Sequence, residues 1–496
     1  MMFPKFVLLW TDAVLWAMVA VLVGYAWRAR ITPNLRANWL KVVRDPAALC
    51  AAIVLALFAL VTLLDSVHFR RALPPAAGAR SDAPTFYATQ TESMLDALLA
   101  RQIEMRETEH SKPLAFMSLK KESFERDGRQ VHDYARLRYG GAHLTDPAAQ
   151  WAGDLRWRSS AGAAVGLLVA ALVALGMAFA LRRGHGGVLA ALRDIASDRT
   201  NLPLRAALAT TAAICVLVGA TIALMGHYHV FGTDQTGNDV LFQSLKSVRT
   251  AFVIGTLATV ATLPFAVVLG VLAGYFKGWV DEAIQYLYTT LTSVPNVLLI
   301  AACVLMVQVF LDKHPEMFET GGERADLKIF LLCVILGLTG WATLCRLVRG
   351  ETLKLRELDF VQAATAFGVS HARIMARHIA PNVMHLVLIT TVLSFSDLIL
   401  YEAVLTYVGV GVDPSMNSFG GMINLARSEM SRDPLVWWSF AAAFGFMVTL
   451  VLAANLLADG VRDAFDPRAR VFRPRLAPLR RATPTPVGAE TPALRA

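Results

Sequence analysis

Charge is scarce in this chain. Asp, Glu, Lys and Arg together make up 17% of its 496 residues, against about 25% in an average soluble domain. That shortfall excludes an ordinary soluble class, because hydrophobic residues reach 55% and mean hydropathy is +0.49. Cysteine is rare too. Cys50, Cys215, Cys303, Cys333 and Cys345 are odd in number, sit at or within apolar runs and show no CxxC spacing. Neither a disulfide framework nor a zinc site is expected, and packing is their ordinary role. The sequence has no GxxxxGK[ST] phosphate loop and no visible internal repeat.

Long apolar runs are what the chain does have. Nine of them fall at about 6–27, 48–66, 161–181, 206–226, 251–275, 289–311, 329–347, 383–407 and 436–458. In lipid every backbone polar group must be satisfied within a helix, so each run is a candidate spanning helix. The first is too long, and lacks the small-residue site, for a cleaved signal peptide; an uncleaved anchor is expected. The formal charge of +9 could point to nucleic acid, but the basic residues cluster beside apolar runs. Membrane lipid is the expected neighbour, and nucleic acid is not.

Lys and Arg concentrate in short cytoplasmic loops. The loop after the first run holds Arg28, Arg30, Arg36, Lys41 and Arg44, and the loop after the third holds Arg182, Arg183, Arg193, Arg199 and Arg205. The loop after the seventh adds Arg349, Lys354, Arg356, Arg373 and Arg377, and the tail is also Arg-rich. With nine spans all of these lie on one side, which places the N-terminus outside and the C-terminus inside. The expected fold class is an all-α polytopic membrane protein with about nine transmembrane helices and a small extracytoplasmic insertion. The expected division is 1–66 (two spans), 67–160 (the insertion), 161–205 (a span and cytoplasmic loop), 206–466 (the core) and 467–496 (a flexible tail). Within the insertion, Met94, Leu95, Leu98, Leu99 and Ile103 recur at helical spacing on one expected face. It contains no nucleophile–base set and no metal-ligand spacing.

One polar stretch interrupts the apolar pattern. In LDFVQAATAFGVSHARIMARHIAPN, Leu358, Val361, Ala364 and Phe367 form a drifting apolar stripe, and Gly368 follows where a helix end favours positive φ. Ser370 is positioned to cap a second helix carrying Ile374, Met375 and Ile379, which Pro381 would close or kink. Such a pair suits either a lipid surface or a partner's groove.

QAATAFG, followed by HIAP with Pro381 thirteen residues after Gly368, resembles the EAA loop of ABC-importer permeases. The resemblance runs from about residue 230 to 470. GTDQTGNDVL (232–241), AGYFKGWVDE (273–282), LTSVPNVLL (291–299), LTYVGVGVDPS (405–415) and NLLADGVRDAFDPR (455–468) are similar to segments of the dipeptide and oligopeptide branch. Gln362 stands at the motif's Glu, Ala380 at its usual Leu and Asn238 at the branch's Arg. The resemblance implies an inner-membrane permease subunit, multi-pass, that is not itself an enzyme. It further implies a second permease, a periplasmic solute-binding protein, two ABC ATPase subunits that bind the ATP, and a peptide substrate. This chain would hold no cofactor or metal. Gln362, Ala363, Ala364, Phe367, Gly368, Ile379 and Pro381 would form the ATPase-coupling loop. Nickel or another small solute in the same branch is the alternative cargo, and a non-transporting sensor or scaffold is the alternative class. Nothing in the resemblance assigns a role to residues 1–200.

Four carboxylates complete the reading. Asp397 and Glu402 lie within an apolar span, where they either pair structurally or touch substrate in the pathway. Five residues apart, they sit about 140° from each other around a helix. Asp234 and Asp239 are turn caps, or parts of an outer gate. His227 and His229 at the edge of the fourth span are read as packing residues.

Overall fold

The computed structural model describes residues 5–72, 87–89, 91–126, 129–318 and 320–465. The tail expected from 467 onward lies outside the described residues. Nine helices among the described residues are long and apolar enough to cross a membrane, and the protein is an all-α polytopic membrane protein.

In chain order, strand β1 (Lys5–Val7) leads into α1 (Trp10–Ile31), α2 (Pro33–Arg44) and α3 (Pro46–Asp65). Prolines open α2 and α3, where a missing N–H costs nothing, and the Asp45 side chain accepts from Ala48 N–H at 3.3 Å. The insertion follows: β2 (His68–Arg70), β3 (Glu92–Ser93), α4 (Met94–Leu98), α5 (Ala100–Glu104), β4 (Met117–Arg126) and β5 (Arg129–Arg136). Next come α6 (Pro147–His185), α7 (Val188–Ala196) and α8 (Leu204–Met225). The remainder is α9 (Val240–Phe276), α10 (Gly278–Ser293), α11 (Asn296–Lys313), α12 (Gly321–Arg356), α13 (Asp359–Ala366), α14 (His371–Ile374), α15 (Ala380–Tyr407), α16 (Phe419–Glu429) and α17 (Trp438–Phe465).

Helix α9 is the spine, packed along α12 and flanked by α15, α17 and α3. The expected amphipathic stretch 240–248 and the expected span 251–275 are one helix of 37 residues. About 20 residues cross a bilayer, so roughly 25 Å of α9 projects beyond it. Those projecting turns receive the insertion at one end of the molecule, hereafter the insert end. The opposite end carries α10, α13 and α14, and is the elbow end.

The expected boundary of the core at residue 206 is not where the packing puts it. Helix α8 packs chiefly on α6, with Gly162 and Gly166 against the backbone of Cys215–Gly219; small residues permit that approach. It is α3 that packs on α17 and α9, and α1 that packs on α12. The second span is packed into the bundle and the first is tied to it through its N-terminal turns, while α6 and α8 form an outlying pair.

The insertion also departs from expectation. Residues Leu95 and Leu99 are buried, but Met94, Leu98 and Ile103 are exposed. The helix breaks at Leu99 (φ −101°, ψ 15°), so two five-residue helices replace one continuous face. Strands are present as well. The strands β1, β2 and β3 form an antiparallel sheet in that order, and β4 pairs with β5 as a hairpin.

Candidate functional sites: the elbow and the insert-end cavity

The elbow is a rigid base with an exposed tip. Val361, Ile374 and Ile379 are buried with Tyr275, Trp341 and Val348 in one apolar cluster, and Ala364 and Met375 pack on its edge. Polar ties hold the base. Tyr275 Oη meets His371 Nδ1 at 2.8 Å, Lys277 Nζ donates to Glu357 at 2.7 Å, and Arg349 donates two hydrogen bonds to Asp281 at 2.5 and 2.7 Å. The Arg349 guanidinium holds the Asp281 carboxyl below its usual range, and Lys277 does the same for Glu357. Sequence reasoning missed Tyr275, Asp281 and Arg349, because each acts across more than 65 residues of chain.

Gly368 has φ 74°, and a Cβ there would meet no atom within 4 Å. Backbone conformation alone therefore calls for glycine. Its N–H donates to Thr365 and that of Val369 to Ala364, closing the end of α13. The adjacent Phe367 is 88% exposed. Gln362 is exposed and its Nε2 donates to the Glu357 carbonyl at 3.1 Å, while Ala363 and Pro381 are exposed.

One local expectation fails here and one is narrowed to a single alternative. Ser370 occupies the position before α14 but makes no capping hydrogen bond through its side chain. Pro381 does not close the second helix. Residues Met375–Ile379 form a π-turn, and α15 continues through Pro381 toward the insert end. The extra residue in that turn relieves the backbone just before the ring, where an unbroken α-helix would clash.

At the insert end, Asp234 and Asp239 are the turn caps expected of them. Asp234 Oδ1 accepts from the N–H groups of Thr236 and Asn238, and Asp239 Oδ1 accepts from Phe242 N–H at the start of α9. Both also line a cavity of about 500 Å³ with Thr406, Asn417 and Asn424. Asp239 has a further task. His229 Nδ1 donates to it at 2.8 Å, and Nε2 lies 3.6 Å from Glu107 of the insertion. Burial alone would lower the His229 pKa, but the Asp239 hydrogen bond and the Glu107 carboxylate outweigh it and hold it at about 9. Burial would raise Glu107, yet His229 and the N–H groups of Arg138, Tyr139 and Gly140 bring it down to about 2. His229 is thus an ionic clamp rather than a packing residue. His227 does pack, its ring edge-on to His143 at 4.8 Å.

Asp397 and Glu402 part company. Glu402 is fully buried, and Thr406 Oγ1 donates to its Oε1 at 2.8 Å, while Oε2 has no hydrogen-bond partner. Asp397 is exposed on α15. Neither has a basic partner among the described residues, so the structural pairing of Glu402 is a carboxylate–hydroxyl contact instead of an ion pair.

Residues 266–471 match the family described as binding-protein-dependent transport system inner membrane component. That segment contains the elbow, the π-turn and most of the apolar cluster beneath them. The chain is 32% identical over 248 residues to the oligopeptide transport system permease protein OppC of Mycobacterium bovis, covering 50% of this chain and 79% of that protein. The protein of the same name from Haemophilus influenzae is 32% identical over 246 residues, covering 50% of this chain and 72% of its own length. For Escherichia coli K12 the figures are 32% over 245 residues, 49% and 74%. With most of each relative's length covered at this identity, the chain belongs to the inner-membrane permease components of binding-protein-dependent transport systems, in the branch of peptide ABC importers.

Proposed function

We propose that this chain forms half of the translocation pathway of an ATP-driven oligopeptide importer and receives the ATPase stroke at the elbow. Its relatives are named as oligopeptide permeases, which leaves the nickel and scaffold alternatives without support. One observation carries the coupling role. Phe367 stands 88% exposed on a left-handed turn whose neighbours Val361, Ile374 and Ile379 are locked in the core. An aromatic anchor on a rigid base is the form that hot spots take in protein interfaces. Force applied there passes directly into α15 and, through the Tyr275–His371 contact, into α9.

The orientation follows from charge. Arg28, Arg30, Arg182, Arg193, Arg349 and Arg356 stand at the elbow end of their helices, the side that faces the cytoplasm under the Lys/Arg bias. The N-terminus and the insertion then face the periplasm and the C-terminus the cytoplasm. A solute-binding protein delivers peptide at the insert end, a second permease completes the pore, and two ATPase subunits bind the ATP. The chain itself holds no cofactor.

The test is reconstitution with ATPase, second-permease and solute-binding subunits of a peptide importer from the same cell. ATP-dependent accumulation of a labelled tripeptide in proteoliposomes is expected, with the ATPases copurifying on this chain. Copurification without accumulation would overturn the transport assignment. A periplasm-active reporter inserted after Lys112 should be active and one after Ser197 silent; the reverse overturns the orientation.

A further inference from the structure

We propose that the cavity between the insertion and the core is a binding vestibule for the cationic end of an extended peptide, a reading that rests on the transport function proposed above. The cavity measures about 850 Å³, within the usual 300–1,000 Å³ of small-ligand sites. One wall is the insertion and its approach, with Asp65, Glu92, Asp96 and Glu104. The other is the core, with Phe242, Lys246 and Arg249 of α9 and Gly321 of α12. It meets the 500 Å³ cavity at Ile103, Phe242 and Ser415–Asn417. The second cavity reaches Thr406, one helical turn from Glu402.

The charges in the walls do not cancel. Lys246 Nζ serves two carboxylates at once, Asp65 at 2.8 Å and Asp96 at 2.9 Å. Arg71 Nε is taken by Glu92 at 2.7 Å. Arg249 is committed behind the wall, to Asp12 at 2.7 Å and Asp326 at 3.8 Å. Glu104 is exposed and makes no ion pair among the described residues. Carboxylates therefore outnumber the cations left to answer them, and an ammonium group is the complementary ligand.

Hydrogen-bonding capacity is also left open. The Nε of Arg249 has no hydrogen-bond partner although the residue is only 4% exposed, and Thr91 Oγ1 is buried and unpartnered in the opposite wall. A buried donor without an acceptor is costly. A peptide carbonyl laid across the cavity floor satisfies the Arg249 N–H, while the ammonium end sits against Asp96 and Glu104. All four carboxylates precede the segment that matches the permease family, so this selectivity is a property of the added N-terminal part.

The experiment titrates the full chain in nanodiscs with trilysine, trialanine and triglutamate by calorimetry. A Cβ at Gly321 would meet no atom within 4 Å, so Gly321→Lys and Gly321→Glu add opposite charges at the rim with little disturbance. Trilysine should bind tightest and triglutamate weakest. Gly321→Lys should weaken trilysine binding about tenfold while Gly321→Glu retains or improves it, and Glu104→Gln should weaken it about threefold. Equal affinity for the three peptides, or the same effect from both Gly321 variants, overturns the vestibule. Uptake of trialanine by the reconstituted complex reads the transport function separately. Uptake without the charge ranking removes the vestibule alone; the ranking without uptake removes the transport reading alone.

Discussion

The two ends of the molecule are built on opposite principles. At the elbow end, apolar side chains are buried beneath a small polar surface, and the most exposed large apolar side chain among the described residues is an aromatic, Phe367. At the insert end, charged groups are buried and joined to one another. Asp12 accepts from Arg249 at 2.7 Å and from His68 at 2.7 Å, Thr11 donates through its backbone N–H to Asp326 at 3.0 Å, and His110 meets Glu429 at 2.8 Å. The elbow itself, α13 and α14 with the apolar cluster beneath them, falls in the segment shared with the permease family. The insert end joins α1, the insertion, α9 and α12, which come from both inside and outside that segment. A surface kept for another chain needs stiffness below and exposure above. A joint internal to one chain can be closed by buried ion pairs, whose geometry fixes how the parts meet.

The largest expected effect breaks the internal joint. Asp12→Ala leaves Arg249 buried without its nearest carboxylate, and removing one partner of a buried pair costs about 3–5 kcal/mol. Thermal unfolding in detergent should fall by several degrees, and limited proteolysis should reach the β1–β2–β3 sheet. An unchanged melting temperature would show that α1 is an accessory. The same reasoning gives residues 1–200, which the resemblance left without a role, a part in holding the fold. Removing them strips Asp12 from Arg249 and α3 from α17, so a chain starting near Thr200 should be unstable even though its family segment is whole.

A smaller effect sharpens the comparison through pH. His229 has its pKa raised, so its clamp on Asp239 and Glu107 is fully present below about 6.5 and is lost as pH rises through about 9. Glu107 has its pKa lowered, so its contribution is present above about 4.3 and lost as pH falls through about 2. Melting temperature should therefore decline between pH 7 and 9, and His229→Gln should flatten that decline. A variant that declines as steeply as the parent would remove His229 from the joint. Smallest of all is Gln362→Glu at the elbow. The side chain is exposed and its one hydrogen bond is to the Glu357 carbonyl, so a change within about 0.5 kcal/mol is expected, with copurification of the ATPases unaltered.

Local features were legible in the sequence and tertiary ones were not. Nine runs of sufficient length announce nine spans, because each helix must satisfy its own backbone. Gly368 could be read because a left-handed turn leaves a one-residue signature, and Asp234 and Asp239 because caps are local. The hairpin β4–β5 was missed since KKESFER and RQVHDYAR are too polar to show an apolar alternation. The π-turn at Met375–Ile379 escaped notice because Pro381 signals a break in the helix without saying how the backbone will relieve it. The ionic joint was invisible for a different reason. Asp12, His68, Arg249 and Asp326 are drawn from four separated stretches, and only Asp12, a carboxylate inside an apolar run, carried any warning.

The central claim is that motion of the ATPases enters this chain at the elbow. Gly368→Val tests it most directly, since a β-branched residue resists φ of 74° by roughly 1–2 kcal/mol, too little to unfold the bundle but enough to turn α13 away from α14. In proteoliposomes the account predicts normal insertion and peptide binding, ATP hydrolysis no longer stimulated by loaded solute-binding protein, and uptake near background. Parental uptake with parental stimulation of hydrolysis would contradict it.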